Sequence, residues 1–197
     1  MTEGPTRLTA ELAGIINQSR AEGRFAQLRD ELQRVARRAT PDALVVAAEE
    51  FRDEPQLAAP LYEVVVEAQP ANARALVLLA NAYWLLGAGP DAVAPLAARA
   101  IEADPQNRGA WHLWALAESD PRQRAHRWRQ VADRFPGDDL AVANFADNAA
   151  AVASAEQDYE MLDAAIDAYQ ALLSRAEHET QKQALETALQ ALRGWKF

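Results

Sequence analysis

Few side chains in this sequence could bind a metal ion or catalyse a reaction. The chain of 197 residues has three histidines, His112, His126 and His178, and no cysteine. Residues 178–182 read HETQK, which begins like a zinc-binding helix, but Lys182 lies where that motif needs its second histidine ligand. The absence of cysteine excludes disulfides, thiolate zinc sites and thiol catalysis. The sequence therefore predicts no metal, no cofactor and no enzymatic activity.

A second chemical feature is a basic segment. Residues 122–130 read RQRAHRWRQ, with four arginines around Trp128. Arginines interleaved with an aromatic residue occur on nucleic-acid-binding surfaces, but they also form solvated helix faces that pair with acidic neighbours. The net charge of −9 favours the second interpretation, because an acidic chain repels phosphate groups. We therefore predict no nucleic-acid partner, and a patch for phosphate or for an acidic partner is the alternative for this segment.

The tryptophans and paired carboxylates have structural explanations. Trp111 and Trp114 lie three residues apart, as on one side of a helix, and together with Trp128 they are expected to pack in the core. Asp138 and Asp139 have the residue type and position of helix N-terminal caps, which is a simpler explanation than an acid–base pair. None of these side chains is therefore predicted to be catalytic.

The sequence carries no signal for a membrane. A helix needs about 20 apolar residues to cross a bilayer, and the most apolar window, residues 75–89, is shorter than that. The first residues lack the basic start and the apolar run of a secretory signal. These observations predict a cytoplasmic protein with no membrane partner.

A recurring proline marks the elements that must position any site. Four prolines lie 29, 35 and 31 residues apart, and aspartate or asparagine follows each of them within two positions. Proline cannot continue the preceding helix, and aspartate or asparagine caps the next one. The spacing therefore predicts helix ends at the prolines and helix starts at the polar residues. The pairs are Pro41 with Asp42, Pro70 with Asn72, Pro105 with Asn107 and Pro136 with Asp138.

One of these units contains two helices joined by a turn. Apolar residues from Leu76 to Tyr83 fall on one helical face, and the sequence GAGP at 87–90 then breaks the chain. Pro90 suits the first turn of a second helix, which continues to the next proline. The unit resembles the tetratricopeptide repeat, a helix–turn–helix motif of about 34 residues, at the positions of Tyr83, Gly87, Ala100 and Pro105.

The resemblance implies an all-α fold, a helix–turn–helix repeat solenoid. Residues 41–175 are predicted to form an array of about three to four repeats. Residues 1–40 are predicted to form an N-terminal helical pair, which is either separate or a degenerate repeat, and residues 176–197 a C-terminal capping helix. The buried stripes of the N-terminal pair are expected to be Leu8, Leu12 and Ile15, then Phe25, Leu28, Leu32 and Val35.

The resemblance also implies where a partner binds. In this family the first helix of each repeat lines a concave groove, and some members clamp a peptide C terminus there with lysines and asparagines. Asn81 matches one such asparagine, but Val77 occupies the lysine position, so a groove for an amphipathic helix or an apolar peptide is expected. Its apolar strip consists of Val77, Trp84, Leu85 and Leu116. Transferred by register from the prolines, the groove residues are Arg74, Val77, Asn81, Trp84, Leu85, His112, Leu116, Ala143 and Asp147.

Two functions follow as hypotheses. The first is a non-catalytic scaffold that binds a peptide or an amphipathic helix of a partner protein in this groove. The alternative is a structural subunit that forms a homodimer through the same apolar strip. A further interpretation of the strip is that a tightly wound array buries Trp84 and its neighbours in the core, where neither function can use them.

Overall fold

The computed structural model describes residues 5–195, and every regular element in that range is an α-helix. The predicted all-α fold is therefore confirmed. No helix in the described range is both long and apolar enough to cross a membrane. The helices are α1 (Pro5–Glu22), α2 (Phe25–Ala36), α3 (Pro41–Glu49), α4 (Pro55–Ala68), α5 (Ala73–Leu85), α6 (Pro90–Ala103), α7 (Arg108–Leu116), α8 (Pro121–Arg134), α9 (Asp139–Glu156), α10 (Tyr159–Arg175) and α11 (Glu179–Arg193).

Polar caps begin three of the helices as predicted. The side chain of Asn72 accepts a hydrogen bond from the Ala75 N–H at the start of α5, with 3.0 Å between the two atoms. Asn107 and Asp138 cap α7 and α9 in the same way, each accepting a 3.1 Å hydrogen bond from the backbone three residues on. The preceding helices α4, α6 and α8 end just before Pro70, Pro105 and Pro136.

The helix that begins at Pro41 departs from the prediction. Thr40 is the N-cap of α3, and its hydroxyl oxygen accepts a hydrogen bond from the Ala43 N–H. Pro41 occupies the first turn, where its missing N–H leaves no helix hydrogen bond unmade. Asp42 lies in the first turn as well, where its carboxylate interacts favourably with the positive end of the helix dipole. The prediction of Asp42 as the cap was wrong because proline here begins a helix instead of following one.

Two glycines shape the turn between α5 and α6. Gly87 and Gly89 have φ angles of 69° and 85°, in the left-handed region that residues with a Cβ rarely adopt. Pro90 then occupies the first turn of α6, as predicted. The turn therefore fixes where α5 ends, and with it the exposure of the last residues of that helix.

The chain divides into two compact units, residues 1–113 and 114–197, and the division falls within α7. In the first unit α1 packs against α2 and α3, α2 and α3 pack against α4, and α5 packs against α4 and α6. In the second unit α9 packs against α8 and α10, and α11 packs against α10. The three-part division at residues 40 and 175 stays a prediction from the sequence.

In the N-terminal helical pair, most of the residues that were predicted to form the buried stripes are buried. Ile16 is buried in place of Ile15, and Phe25 is 62% exposed although the sequence predicted it in the core. Phe25 is the first residue of α2, so its side chain lies at the end of the helix and outside the packed stripe. The predicted residues that are buried are Leu8, Leu12, Leu28, Leu32 and Val35.

Three ion pairs join one helical hairpin to the next. Each has an arginine on one hairpin and a glutamate on the next, and in each the two residues lie 34 positions apart. This separation equals the length of about one tetratricopeptide repeat. Opposite charges at that spacing are therefore a sequence signal for contact between neighbouring repeats. The pairs are Arg20 with Glu54, Arg29 with Glu63 and Arg122 with Glu156.

Candidate functional site

The two faces of α5 differ in exposure. Leu76 and Ala80 on the inner face are fully buried. On the opposite, exposed face Trp84 is 37% exposed and Leu85 is 58% exposed. Asn81 is exposed on the same helix. The structure therefore places Trp84 and Leu85 at the surface, and the interpretation that buries them in the core does not hold.

Arg74 at the start of α5 takes part in an ion pair. Its guanidinium contacts the carboxylate of Glu49, at the end of α3. The Tyr62 side chain is only 1% exposed, and its hydroxyl has no hydrogen-bond partner among residues 5–195. Burial, and secondarily the Glu49 carboxylate, raises the pKa of Tyr62. Arg74 thus brings a charge to this face that is already balanced by Glu49.

Val77 contributes less to the surface than the sequence predicted. Its side chain is half-buried. A Cβ built on Gly109, in the first turn of α7, would lie 3.4 Å from Val77 Cγ1, so the two helices approach closely at this glycine. Part of the Val77 side chain is therefore covered by the start of α7.

The other predicted groove residues follow α5 in the chain. His112 is half-buried on the part of α7 that belongs to the first unit. Leu116 and Ala143 belong to the second unit and are half-buried. Asp147 of α9 is exposed and accepts a hydrogen bond from the Tyr169 hydroxyl of α10. Burial and this hydrogen bond raise the pKa of Tyr169. Each unit thus carries its own share of the predicted residues.

A glutamate that the sequence did not single out holds α5 in place. Glu63 of α4 accepts a hydrogen bond from the Tyr83 hydroxyl of α5 at 2.7 Å. Its other oxygen accepts hydrogen bonds from Gln33 at 2.8 Å and from Arg29 at 2.5 Å, both on α2. One carboxylate therefore connects α2, α4 and α5 beneath the exposed face. The resemblance identified Tyr83, but its partner lies 20 residues away and no local pattern indicates it.

Because of its burial and its hydrogen bond to Glu63, Tyr83 is expected to lose its proton at a more alkaline pH than an ordinary tyrosine. Burial, followed by the hydrogen bond to Glu63, raises the pKa of Tyr83 to about 12, from an ordinary value of 10.0. Because the folded pKa lies above the unfolded one, this stabilisation is fully present below about pH 10 and is lost as the pH rises through about 12. We expect Glu63→Gln to lower the pKa of Tyr83, measured by tyrosinate absorbance with Tyr83→Phe to assign the step. An unchanged step in Glu63→Gln would contradict this account.

The arginines of residues 122–130 are engaged within the chain. Arg122 pairs with Glu156 at 2.6 Å and with Asp158 at 2.5 Å. Arg127 pairs with Glu118 at 2.6 Å. The structure thus shows the acidic pairing that the sequence favoured for this segment. The remaining two are Arg124, which donates to the Asn148 side chain, and Arg129, whose guanidinium lies 5.9 Å from the Phe145 ring centroid.

The three neighbouring tryptophans have different environments. Trp128 is 3% exposed and packs in the core as predicted. Trp111 and Trp114 are half-buried. The Trp111 indole donates a 3.1 Å hydrogen bond to the carbonyl of Pro105, and the Arg127 guanidinium lies 4.5 Å from the Trp114 ring centroid. The prediction of core packing therefore holds fully only for Trp128.

Because of its ion pair with Arg122, Asp158 is expected to take up a proton at a lower pH than an ordinary aspartate. Hydrogen bonds from Arg122, and then from the Met161 backbone, lower the pKa of Asp158. Because the folded pKa lies below the unfolded one, this stabilisation is present above about pH 4 and is lost as the pH falls through the lower folded value. We expect Arg122→Ala to raise the pKa of Asp158, as followed by NMR of the carboxyl carbon. Arg175→Ala, which breaks a separate ion pair with Asp139, is the matched control and should leave the pKa of Asp158 unchanged.

The histidines are scattered over the second half of the chain. His112 is half-buried on α7, whereas His126 of α8 and His178, just before α11, are exposed. Within residues 5–195 no three histidine, aspartate or glutamate side chains are grouped so that they could hold a metal ion.

Solved structures with a similar arrangement of helices include PilF, YrrB and TTC0263. PilF of Pseudomonas aeruginosa superposes with a TM-score of 0.64 at 14% identity, over 97% of this chain and 86% of PilF. YrrB, described as a TPR protein with an unusual peptide-binding site, gives 0.58 at 17% identity, over 87% of this chain and 88% of YrrB. TTC0263, a TPR protein of Thermus thermophilus, gives 0.57 at 16% identity, over 96% of this chain and 97% of TTC0263.

In sequence comparisons, no protein-family model and no curated protein matches this chain. The similarity to the solved structures is therefore a similarity of fold, because sequence identities of 14–17% do not support a shared function. It confirms that the described helices form an array of the tetratricopeptide-repeat type. The α5 face described above is the exposed surface of one first helix in that array.

Proposed function

We propose that this protein is a non-catalytic scaffold that binds a peptide or an amphipathic helix of a partner protein in the predicted groove, along the exposed face of α5. The observation that carries the proposal is the exposure of Trp84 (37%) and Leu85 (58%) on a helix whose opposite face is buried. Large apolar side chains that are exposed together are typical of interaction sites. A helix or peptide laid on this face would bury them.

The YrrB comparison supports a peptide as the partner's binding element. YrrB is described as a TPR protein with an unusual peptide-binding site, and its fold extends over 87% of this chain. In the first unit the proposed binding face also includes Arg74 and Asn81, and Leu116 and Asp147 of the second unit stay binding residues predicted from the sequence. A cytoplasmic location, and the absence of nucleic-acid and membrane partners, stay predictions from the sequence as well.

Self-association through the same residues is the alternative function. It is favoured by the three consecutive residues Trp84, Leu85 and Leu86, which are 37%, 58% and 46% exposed at the end of α5. Consecutive residues on a helix point in different directions, so this tip is apolar on more than one side. Such a tip could fit a pocket or the same tip of a second copy.

Light scattering and a pull-down distinguish the two functions. For the scaffold we expect a monomer at micromolar concentration and a captured protein that Trp84→Arg no longer retains. A stable dimer that Trp84→Arg dissociates would support the homodimer instead. Leu140→Arg is the matched control, because Leu140 is a 60% exposed leucine on α9 of the second unit. If Trp84→Arg and Leu140→Arg retained the same protein equally, the α5 face would not be the binding surface.

A further inference from the structure

A cavity of about 500 Å³ opens between α8, α9 and α10 of the second unit. Its floor is apolar, with Phe145 and Val142 from α9 and Ala164 and Ala168 from α10. Phe145 and Ala168 are buried, whereas Val142 and Ala164 are half-buried. A volume in this range accommodates a small group of side chains. None of these residues belongs to the predicted groove.

The rim of this cavity carries two carboxylates that form no ion pair within the described part of the chain. Asp133 of α8 and Asp167 of α10 line the opening and are exposed. No basic side chain among residues 5–195 pairs with either carboxylate. Other carboxylates of this unit are paired, such as Asp139, which contacts Arg175 at 3.0 Å. The rim therefore attracts a cation from outside.

Further acidic residues extend the rim along α10. Asp163 and Glu160 lie four and seven residues before Asp167, on the same side of the helix, and both are exposed. No basic partner within the described part of the chain contacts either side chain. The helices α8 and α10 run parallel, since Arg122 pairs with Asp158 at their starts and Arg175 donates to the Pro136 carbonyl at their ends. Arg129 of α8, which lies over the Phe145 ring, is therefore at the same end of the cavity as Asp163. The opening thus carries acidic side chains on both helices, together with Arg129.

We propose that this cavity binds a basic amphipathic segment of a partner protein, with an apolar side chain on the Phe145 floor and a lysine or arginine at Asp133 and Asp167. Charge complementarity selects this occupant. A phosphate group is repelled by the acidic rim. A second copy of this chain is disfavoured because it carries a net charge of −9. The site is independent of α5 and would hold a second partner or a second segment of the first.

Arg129 limits where a basic side chain of the segment can lie on the floor. Its guanidinium covers one end of the floor and repels a positive side chain there. The basic residues of the segment therefore face Asp133 and Asp167, and a carboxylate of the segment, where present, faces Arg129.

The test measures fluorescence anisotropy of a labelled synthetic helix built from leucine and lysine. We expect it to bind the wild-type protein, and we expect Asp133→Asn with Asp167→Asn to weaken binding about tenfold through loss of two ion pairs. Asp42→Asn with Glu50→Gln is the matched control, because it removes the same charge from exposed positions in the first unit and should leave affinity nearly unchanged. Equal weakening in both double variants would overturn the proposal by showing only a general attraction of charge.

Two further probes complete the test. A peptide with each lysine replaced by glutamate should not bind, and one with each leucine replaced by serine should bind at least about tenfold more weakly. If the serine peptide bound as well as the leucine peptide, the apolar floor would have no role and the proposal would fail. If Trp84→Arg abolished binding while Asp133→Asn with Asp167→Asn did not, the peptide would lie on α5 and not in this cavity. Self-association that the Asp133 and Asp167 changes abolish would assign the cavity to a second copy and overturn the proposal.

Discussion

Replacing Leu76 with alanine is expected to lower the free energy of unfolding by about 2–5 kcal/mol, the range for truncating a buried leucine. Leu76 lies on the inner face of α5 and is fully buried. Its truncation removes apolar contacts and leaves a cavity that the neighbouring helices fill only in part. The measurement is urea unfolding followed by circular dichroism and, separately, by tryptophan fluorescence, because repeat arrays can unfold in parts.

Leu85→Ala is the matched control for Leu76→Ala. It is the same chemical change on the same helix, but Leu85 is 58% exposed, so we expect a loss of less than about 1 kcal/mol. The contrast between the two variants separates the packed face of α5 from the face proposed to bind a partner. An equal loss in both would place Leu85 in the core and remove the basis of the proposed function.

The helix boundaries were predictable because their signals act over a few residues. Proline restricts its own φ, and an asparagine or aspartate oxygen reaches a backbone N–H only three residues on. Asn72, Asn107 and Asp138 therefore fix helix starts without help from distant residues. The one wrong assignment, Asp42, concerns the same local chemistry, since a proline can lie either just after one helix or at the start of the next.

The candidate site was predictable only in part. Register from Pro70 placed Trp84 and Leu85 on the groove-lining face of α5, and both are exposed. The same register placed Val77 there, but the Val77 side chain is half-buried and lies against Gly109 at the start of α7. How far a side chain on that face is covered depends on the distance between neighbouring helices, and a single sequence does not contain that distance.

Contacts between hairpins were the part that sequence reasoning missed. Glu63 connects three helices through hydrogen bonds to residues 20, 30 and 34 positions away. No local pattern selects such a partner, because the geometry is set by how one repeat packs on the next. The recurrence of arginine–glutamate pairs at 34 residues was the signal that could have found it, since that spacing equals about one repeat.

Alanine at Trp84 and at Leu116 is expected to weaken partner binding by about 1–3 kcal/mol each, which is about 5- to 150-fold in affinity. A tryptophan ring buries up to about 250 Å² when it is covered, and apolar area contributes about 25 cal/mol per Å². Trp84 still has 37% of its surface to lose, whereas Leu116 is half-buried, so Trp84 should have the larger effect. Isothermal titration calorimetry with the captured partner measures both, and Leu140→Ala is the exposed control.

The salt dependence of the same binding identifies the force behind it. If apolar burial on α5 dominates, affinity should change little between low and moderate salt, whereas phosphate contacts make log affinity fall steeply with log salt. Arg122 and Arg127 are already paired with Glu156 and Glu118, so these two arginines have little charge to offer a ligand. Arg129→Ala should therefore leave the affinity of this partner nearly unchanged, because Arg129 belongs to the separate cavity on α8–α10. A steep salt slope that Arg129→Ala reduces, with no loss in Trp84→Ala, would move the partner from α5 to the arginine surface.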